Sequence, residues 1–138
     1  MADGRDVSED TLLGGCVRLR QRRTGHRAGT DAVLLAGLAE AREGEVVVDL
    51  GSASGAVGLM MAVRVPSLRI VLVERDEEEA ALARANVDLN GLAGRAAVHR
   101  LDVFSPPSAW PAIARADRVV TNPPFFEGGA GFRASPDA

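Results

Sequence analysis

Apolar and charged positions alternate through Cys16-Val17-Arg18-Leu19-Arg20-Gln21-Arg22, the period of a strand with one wet face. Residues 24–29, Thr24-Gly25-His26-Arg27-Ala28-Gly29, then break the pattern and read as a loop. Thr30 stands as the N-cap of a helix through about Arg42, with Ala32, Leu35, Ala36 and Ala39 on one stripe and Gly44 beyond its end. From Val46 onward strands and helices take turns. Val46-Val47-Val48-Asp49-Leu50 is a short apolar run of the kind buried on both faces of a parallel sheet. A glycine turn and a helix from about Ser54 to Val65 follow, stopped by Pro66. A strand over Leu68–Glu74 leads into a helix over Asp76–Asn90, whose first turn carries three glutamates and whose end is marked by Gly91. A third strand over Ala96–Leu101, a weak helix around Ser108–Ala116 and a fourth strand over Asp117–Thr121 complete the alternation. Such βα units predict an α/β fold with a doubly wound, mostly parallel sheet.

The acidic, polar start from Met1 to Asp10 reads as a disordered tail. The expected organisation is therefore a tail over residues 1–10, a strand-and-helix lead-in over 11–44, and a ligand-binding domain over 45–138. The fourth strand is followed only by a glycine-rich stretch, which would leave an apolar sheet edge uncovered. The sequence therefore reads as the front part of a longer protein, or as a homo-oligomer that hides this edge.

Composition narrows the class without naming a chemistry. With 138 residues, 46% of them apolar and 25% charged, the chain matches an ordinary globular domain. No apolar run is long enough to span a bilayer and the start is no signal peptide, so no membrane association is expected and the default compartment is the cytoplasm. The single cysteine, Cys16, excludes an internal disulfide or a cysteine-based zinc cluster, and His99 has no partners at metal-ligand spacing. A net charge of −3 is not that of a strongly basic nucleic-acid binder, yet every basic residue is arginine and Arg18, Arg20, Arg22, Arg23 and Arg27 cluster. Arg18, Arg20 and Arg22 share a strand face, which either neutralises nucleic-acid phosphates or is simply solvated.

The chemistry begins at Asp49-Leu50-Gly51-Ser52-Ala53-Ser54-Gly55, between a strand and a helix. Glycines there allow a sharp turn and close approach of a ligand to a helix N-terminus. Glu74 ends the next strand, roughly 20 residues on, where a carboxylate reaches ribose hydroxyls bound at a sheet crevice. The pair implies a nucleoside-containing ligand. A dinucleotide fingerprint fits less well, because Ala53 stands at a stricter glycine position and Asp49 has no place in that pattern. Asp49 with its loop resembles instead the first motif of class I S-adenosylmethionine-dependent methyltransferases.

A second constellation, Asn122-Pro123-Pro124-Phe125, follows the fourth strand. Two prolines fix an extended turn that holds the Asn122 side-chain oxygen and the Pro123 carbonyl outward as acceptors. Two fixed acceptors can grip an NH2 group and aim its lone pair, while Phe125 offers a face for stacking, worth on the order of 1–3 kcal/mol for a base. No deprotonating base is evident, so catalysis would rest on proximity and on stabilising the developing positive charge. The motif resembles the N-P-P-[FYW] signature of methyltransferases acting on amino or amide nitrogens. That resemblance implies a site in which Asn122, Pro123, Pro124 and Phe125 hold the acceptor. It implies that Asp49, Gly51, Ser52, Ala53, Gly55, Glu74, Asp102, Val103 and Asn122 bind S-adenosylmethionine, with Asp102 accepting from the adenine amino group.

Further stretches resemble the bacterial tRNA adenine-N6 methyltransferases that modify tRNA-Val. They are Thr11-Leu12-Leu13-Gly14-Gly15, Val17–Gln21, Gly25–Leu35, Ala85-Asn86, Asn90-Gly91-Leu92, Asn122–Phe126 and Arg133-x-Ser135-Pro136. The pattern departs at His26, where tyrosine is expected, and at Ala53, where glycine is common; neither departure is expected to touch the chemistry. The resemblance implies an enzyme with tRNA as partner and adenine N6 as acceptor. Arg27 and Asp31 are then either cofactor-side residues or a structural ion pair, and Gly128–Phe132 a loop that closes over a flipped base or a frayed end. Protein-glutamine N5 and ribosomal-RNA guanine-N2 methyltransferases share the motif, although the former usually carry tyrosine at Phe125 and the latter histidine at Phe126. A catalytically incomplete cofactor-binding chain is the alternative of another class.

Overall fold

The computed structural model describes residues 6–111 and 116–123. Four parallel strands form its sheet: β3 (Val46–Leu50), β4 (Arg69–Glu74), β5 (Ala96–Arg100) and β6 (Arg118–Thr121). They lie in the order β5-β4-β3-β6, all parallel, with Val48 opposite both Val71 and Val119. The chain winds outward from β3 to β5 and then returns to the other side of β3. That reversal opens a crevice at the carboxyl ends of the strands, where ligands of open α/β sheets bind.

Three helices follow the hydrophobic pattern: α1 (Thr30–Leu38), α2 (Ala56–Arg64) and α3 (Glu77–Leu89). The first is shorter than the stripe predicts, capped by the Gly29 backbone and closed at Ala39, so Thr30 is its first residue and not its cap. Asp76 caps α3 by accepting from the Glu79 N–H at 2.9 Å. Helix α2 is buried from Ala56 to Ala62 and lies close on the sheet at Gly58, where an added Cβ would stand 2.6 Å from Leu72 and 2.8 Å from Ile70. Leu59, Met60, Met61, Leu68, Ile70 and Leu72 form the centre of the core. Of the helix expected around Ser108–Ala116, a single 3-10 turn over Pro107–Ala109 is present, and residues 112–115 lie outside the described residues.

The expectation of a disordered tail over residues 1–10 is corrected from Val7 on, while residues 1–5 lie outside the described residues. Val7–Leu12 forms strand β1, antiparallel to β2 (Val17–Arg22), the two joined by a turn over Leu13–Gly15. The acidity that reads as a tail is the complement of the arginines opposite: Glu9 faces Arg20 in register and pairs with both Arg18 and Arg20. The buried face of β2, with Val17, Leu19 and Gln21, joins the same core as the parallel sheet, so the hairpin belongs to one packed unit.

That unit is closed by two asparagines, Asn86 in α3 and Asn90 at its C-cap. Asn86, fully buried, accepts from the Arg20 N–H at 2.7 Å and donates to the Arg20 carbonyl at 2.9 Å. One turn later Asn90 does the same for Arg18, at 2.9 and 2.7 Å. Two side-chain amides at i and i+4 thus serve the free edge of β2 as a neighbouring strand would. At the other side of the sheet, β6 pairs with β3 and, among the described residues, with no further strand; Val119 is 58% exposed there.

Candidate functional site

The loop between β3 and α2 is shaped by three residues with left-handed backbone, Gly51 (φ +67°), Ala53 (φ +48°) and Gly55 (φ +94°). Two of them are glycine, which tolerates this conformation. Ala53 is not, and the conformation costs a residue with a Cβ roughly 1–2 kcal/mol. The loop is held by its neighbour strand: the Gly51 and Ser52 N–H groups donate to the Val73 carbonyl at 2.9 and 3.0 Å. Glu74 completes the hold, accepting from the Ala53 N–H at 2.8 Å and, through its other oxygen, from the Asp76 N–H at 3.0 Å. Asn86 reaches this loop as well, donating to the Ser54 carbonyl at 2.8 Å.

Asp49 lies beneath the loop, 2% exposed, and accepts from the Gly58 N–H at 3.1 Å. Burial pushes its carboxyl up to about 7, against the pull of the Gly58 hydrogen bond and with a further push from Glu74. Its place is to brace α2 against β3 under the loop. Ser52 lies beside it, and its buried hydroxyl has no hydrogen-bond partner among the described residues. A buried hydroxyl left unpaired costs about 1–3 kcal/mol, which a polar ligand group at the loop would recover.

Two hollows adjoin the glycine loop at the carboxyl ends of the strands. The larger, a cleft of about 460 Å³, is lined by Gly51, Ala53 and Glu74 on one side and by Asp102, Val103 and Phe104 on the other, with Asn122 at its rim. The smaller, about 20 Å³, runs under the glycine loop between Asp49, Ser52, Ser54 and Ala28. The residues expected to bind a nucleoside therefore converge, with Gly55 alone outside the lining and serving as the N-cap of α2. Asp102 accepts from the Phe104 N–H at 2.9 Å and stands 3.8 Å from Arg75, with one carboxylate oxygen turned to each. Glu79 also lines the cleft, and burial pushes its carboxyl up against the opposing pull of Arg22. Asn122 and Pro123 follow directly from β6, whose pairing with β3 sets Thr121 against Leu50. Pro124, Phe125 and the stretch Gly128–Phe132 lie outside the described residues.

The arginine face is engaged within the molecule. Arg18 and Arg20 pair with Glu9, and Arg22 with Asp76, Glu78 and Glu79. Arg27 does not pair with Asp31, as one expectation had it. It reaches Asp10 at 3.0 Å, Ser8 at 3.1 Å and the Arg22 carbonyl, and so ties the open end of the hairpin. Sequence reasoning missed His26, which lines both hollows and so stands within the site it was expected not to touch. Its only signal was its departure from the family pattern. Among the described residues, no cluster of histidine, cysteine or carboxylate side chains could hold a metal ion, and no helix is long and apolar enough to cross a membrane.

Comparison with known proteins gives this geometry a context. The methyltransferase small domain family matches residues 27–134. A tRNA1(Val) (adenine(37)-N6)-methyltransferase of Proteus mirabilis is 35% identical over 102 residues, which cover 73% of this chain and 40% of that protein's length. The T. thermophilus 16S rRNA N2 G1207 methyltransferase, solved with AdoMet and guanosine, is 28% identical with a TM-score of 0.68 over 90% of this chain and 34% of its own. An RNA methyltransferase from Salinibacter ruber, solved with S-adenosyl-L-homocysteine, is 26% identical with a TM-score of 0.58, covering 70% of this chain and 60% of its own.

Proposed function

Since the chain belongs to the methyltransferase small domain family, we propose that it forms the S-adenosylmethionine-binding part of an N-methyltransferase whose acceptor is an exocyclic amino nitrogen, adenine N6 in tRNA. The observation that carries this reading is the convergence of the Gly51–Gly55 loop, Glu74, Asp102 and Asn122 on one cleft at the carboxyl ends of parallel strands. The residues present fit the cofactor. Each Glu74 oxygen already accepts one backbone N–H and keeps a lone pair for a ribose hydroxyl. Asp102 keeps acceptor capacity for an adenine amino group, and the unpaired Ser52 hydroxyl meets a charged ligand tip in the inner hollow.

When bound, S-adenosylmethionine supplies an electrophilic methyl group on a sulfonium. The protein's own part is placement. Asn122 and the Pro123 carbonyl accept the two hydrogens of the acceptor NH2, which turns its lone pair toward the cleft and stabilises the nitrogen as it becomes positive. Pro124 and Phe125 would complete this grip by rigidity and stacking. The tRNA assignment is supported by the name of the Proteus mirabilis relative. The chain spans about 40% of that relative's length. Guanine N2 of ribosomal RNA is the second reading, favoured by the guanosine-bound neighbour that aligns with 90% of the chain.

Calorimetric titration with S-adenosylhomocysteine, with NAD as control, tests the reading. Micromolar binding of the former alone, about −8 kcal/mol, is expected. Binding of NAD alone would overturn it. In a protein that transfers methyl, Asn122→Ala should abolish transfer while leaving that affinity within about twofold.

A further inference from the structure

The cleft and the inner hollow meet at four residues: His26, Gly51, Ala53 and Asn122 line both. Two of these offer only backbone or a methyl group. Asn122 is assigned above to the acceptor, which leaves His26 as the remaining polar side chain at the junction. The chemistry of the ligand says what sits there. In S-adenosylmethionine the sulfur is the atom that joins the ribose carbon to the amino-acid chain. With the ribose at Glu74 in the cleft and the amino-acid tip at Ser52 in the hollow, the sulfur must lie where the two spaces join. The methyl group has to leave from that point toward Asn122, so the same junction is demanded twice.

We infer that His26 faces the sulfonium of the bound cofactor, and that its charge state selects between the methyl donor and the demethylated product. This rests on the cofactor reading given above. An uncharged imidazole accommodates either ligand. An imidazolium repels the sulfonium of the donor but not the neutral thioether of the product, because only the former carries a like charge a few ångströms away. The cleft then holds product in preference to donor as pH falls through the range in which histidines gain a proton, about pH 8 to 5. The tyrosine expected at this position would carry no such dependence in that range.

Other groups face the same space and must be separated from His26. Arg22 from β2 and Arg75 after β4 stay charged throughout, and Glu74 and Asp102 bring carboxylates to the cleft. Asp49 beneath the loop and Glu79 of α3 are carboxylates held above their ordinary range, and Asp49 reaches about 7. Protonating either would also disfavour a cationic ligand, so the variant and not the pH profile alone decides. His26 is exposed, on the connection between β2 and α1, where His26→Gln replaces one polar side chain by another with no core contact to lose.

The experiment is to measure dissociation constants of S-adenosylmethionine and S-adenosylhomocysteine from pH 8 to pH 5.5, in the parent chain and in His26→Gln, with Asp49→Asn alongside. The expected result is a donor-to-product ratio that rises on the order of tenfold on acidification in the parent and in Asp49→Asn, and stays level in His26→Gln. A level ratio in the parent would overturn the inference. So would a slope that persists in His26→Gln, which would move the effect to Asp49 or Glu79. Failure of both ligands to bind at any pH would remove the cofactor reading itself, a result distinct from either slope.

Discussion

The hairpin and the cleft are both rich in polar and charged side chains, and they use them in opposite ways. On the hairpin the charged groups are matched inside the molecule: Glu9 with Arg18 and Arg20, Asp10 with Gln21 and Arg27, and the edge of β2 with two asparagines. Pairing holds the Asp10 carboxyl below its ordinary range, chiefly through Gln21 and Ser8. In the cleft, by contrast, the Ser52 hydroxyl has no partner among the described residues, Glu74 and Asp102 keep unused acceptor sites, and Ala53 is held in a strained turn. The denser cluster of charge is therefore structural, and the sparser one points to a ligand. Strain and unmet hydrogen-bonding capacity persist where binding can recover them.

The contrast is broken most severely at Asn86. Asn86→Ala leaves the Arg20 amide and carbonyl and the Ser54 carbonyl without their partner, and about 3 kcal/mol of stability should be lost in denaturant unfolding. A loss below about 1 kcal/mol would mean that water replaces the amide and that the hairpin is not clamped as described. A change of opposite sign is expected in the loop. Ala53→Gly removes the Cβ from a left-handed backbone and should raise stability by about 1 kcal/mol, after the entropic cost of glycine, without weakening S-adenosylhomocysteine binding. If it destabilises instead, the turn is not strained. The smallest effect belongs to the hairpin surface. Arg18→Gln, at an exposed pair with Glu9, should leave the unfolding midpoint unmoved. If it nonetheless weakened RNA binding in a protein that methylates RNA, the arginine face would serve the acceptor as well as the fold.

The parallel sheet was legible in the chain because continuous apolar runs such as Val46–Val48 and Ile70–Val73 occur where both faces are covered. Strand β1 was not, since Ser8, Glu9 and Asp10 find their partners only in the folded chain, on β2, at Arg27 and in one another, and Ser8 and Asp10 break the apolar alternation of Val7–Leu12. Gly51 and Glu74 were visible by spacing, since loop and strand ends recur at fixed places in a βαβ unit, whereas Asn122 was marked by its proline turn and Asp102 only by the family resemblance. His26 carries no periodic signal and becomes a site residue only when the β2–α1 connection is laid across the strand ends.

Asn86 bonds the hairpin and the glycine loop with one side chain. The family match begins at residue 27, beyond the hairpin, although Asn86 lies well inside it. A cut made at that boundary would strip Val17 and Leu19 from the core and take from Asn86 and Asn90 the β2 backbone groups they hold. For anyone dividing or grafting this domain, the physical border runs ahead of β1, and the lead-in travels with the glycine loop.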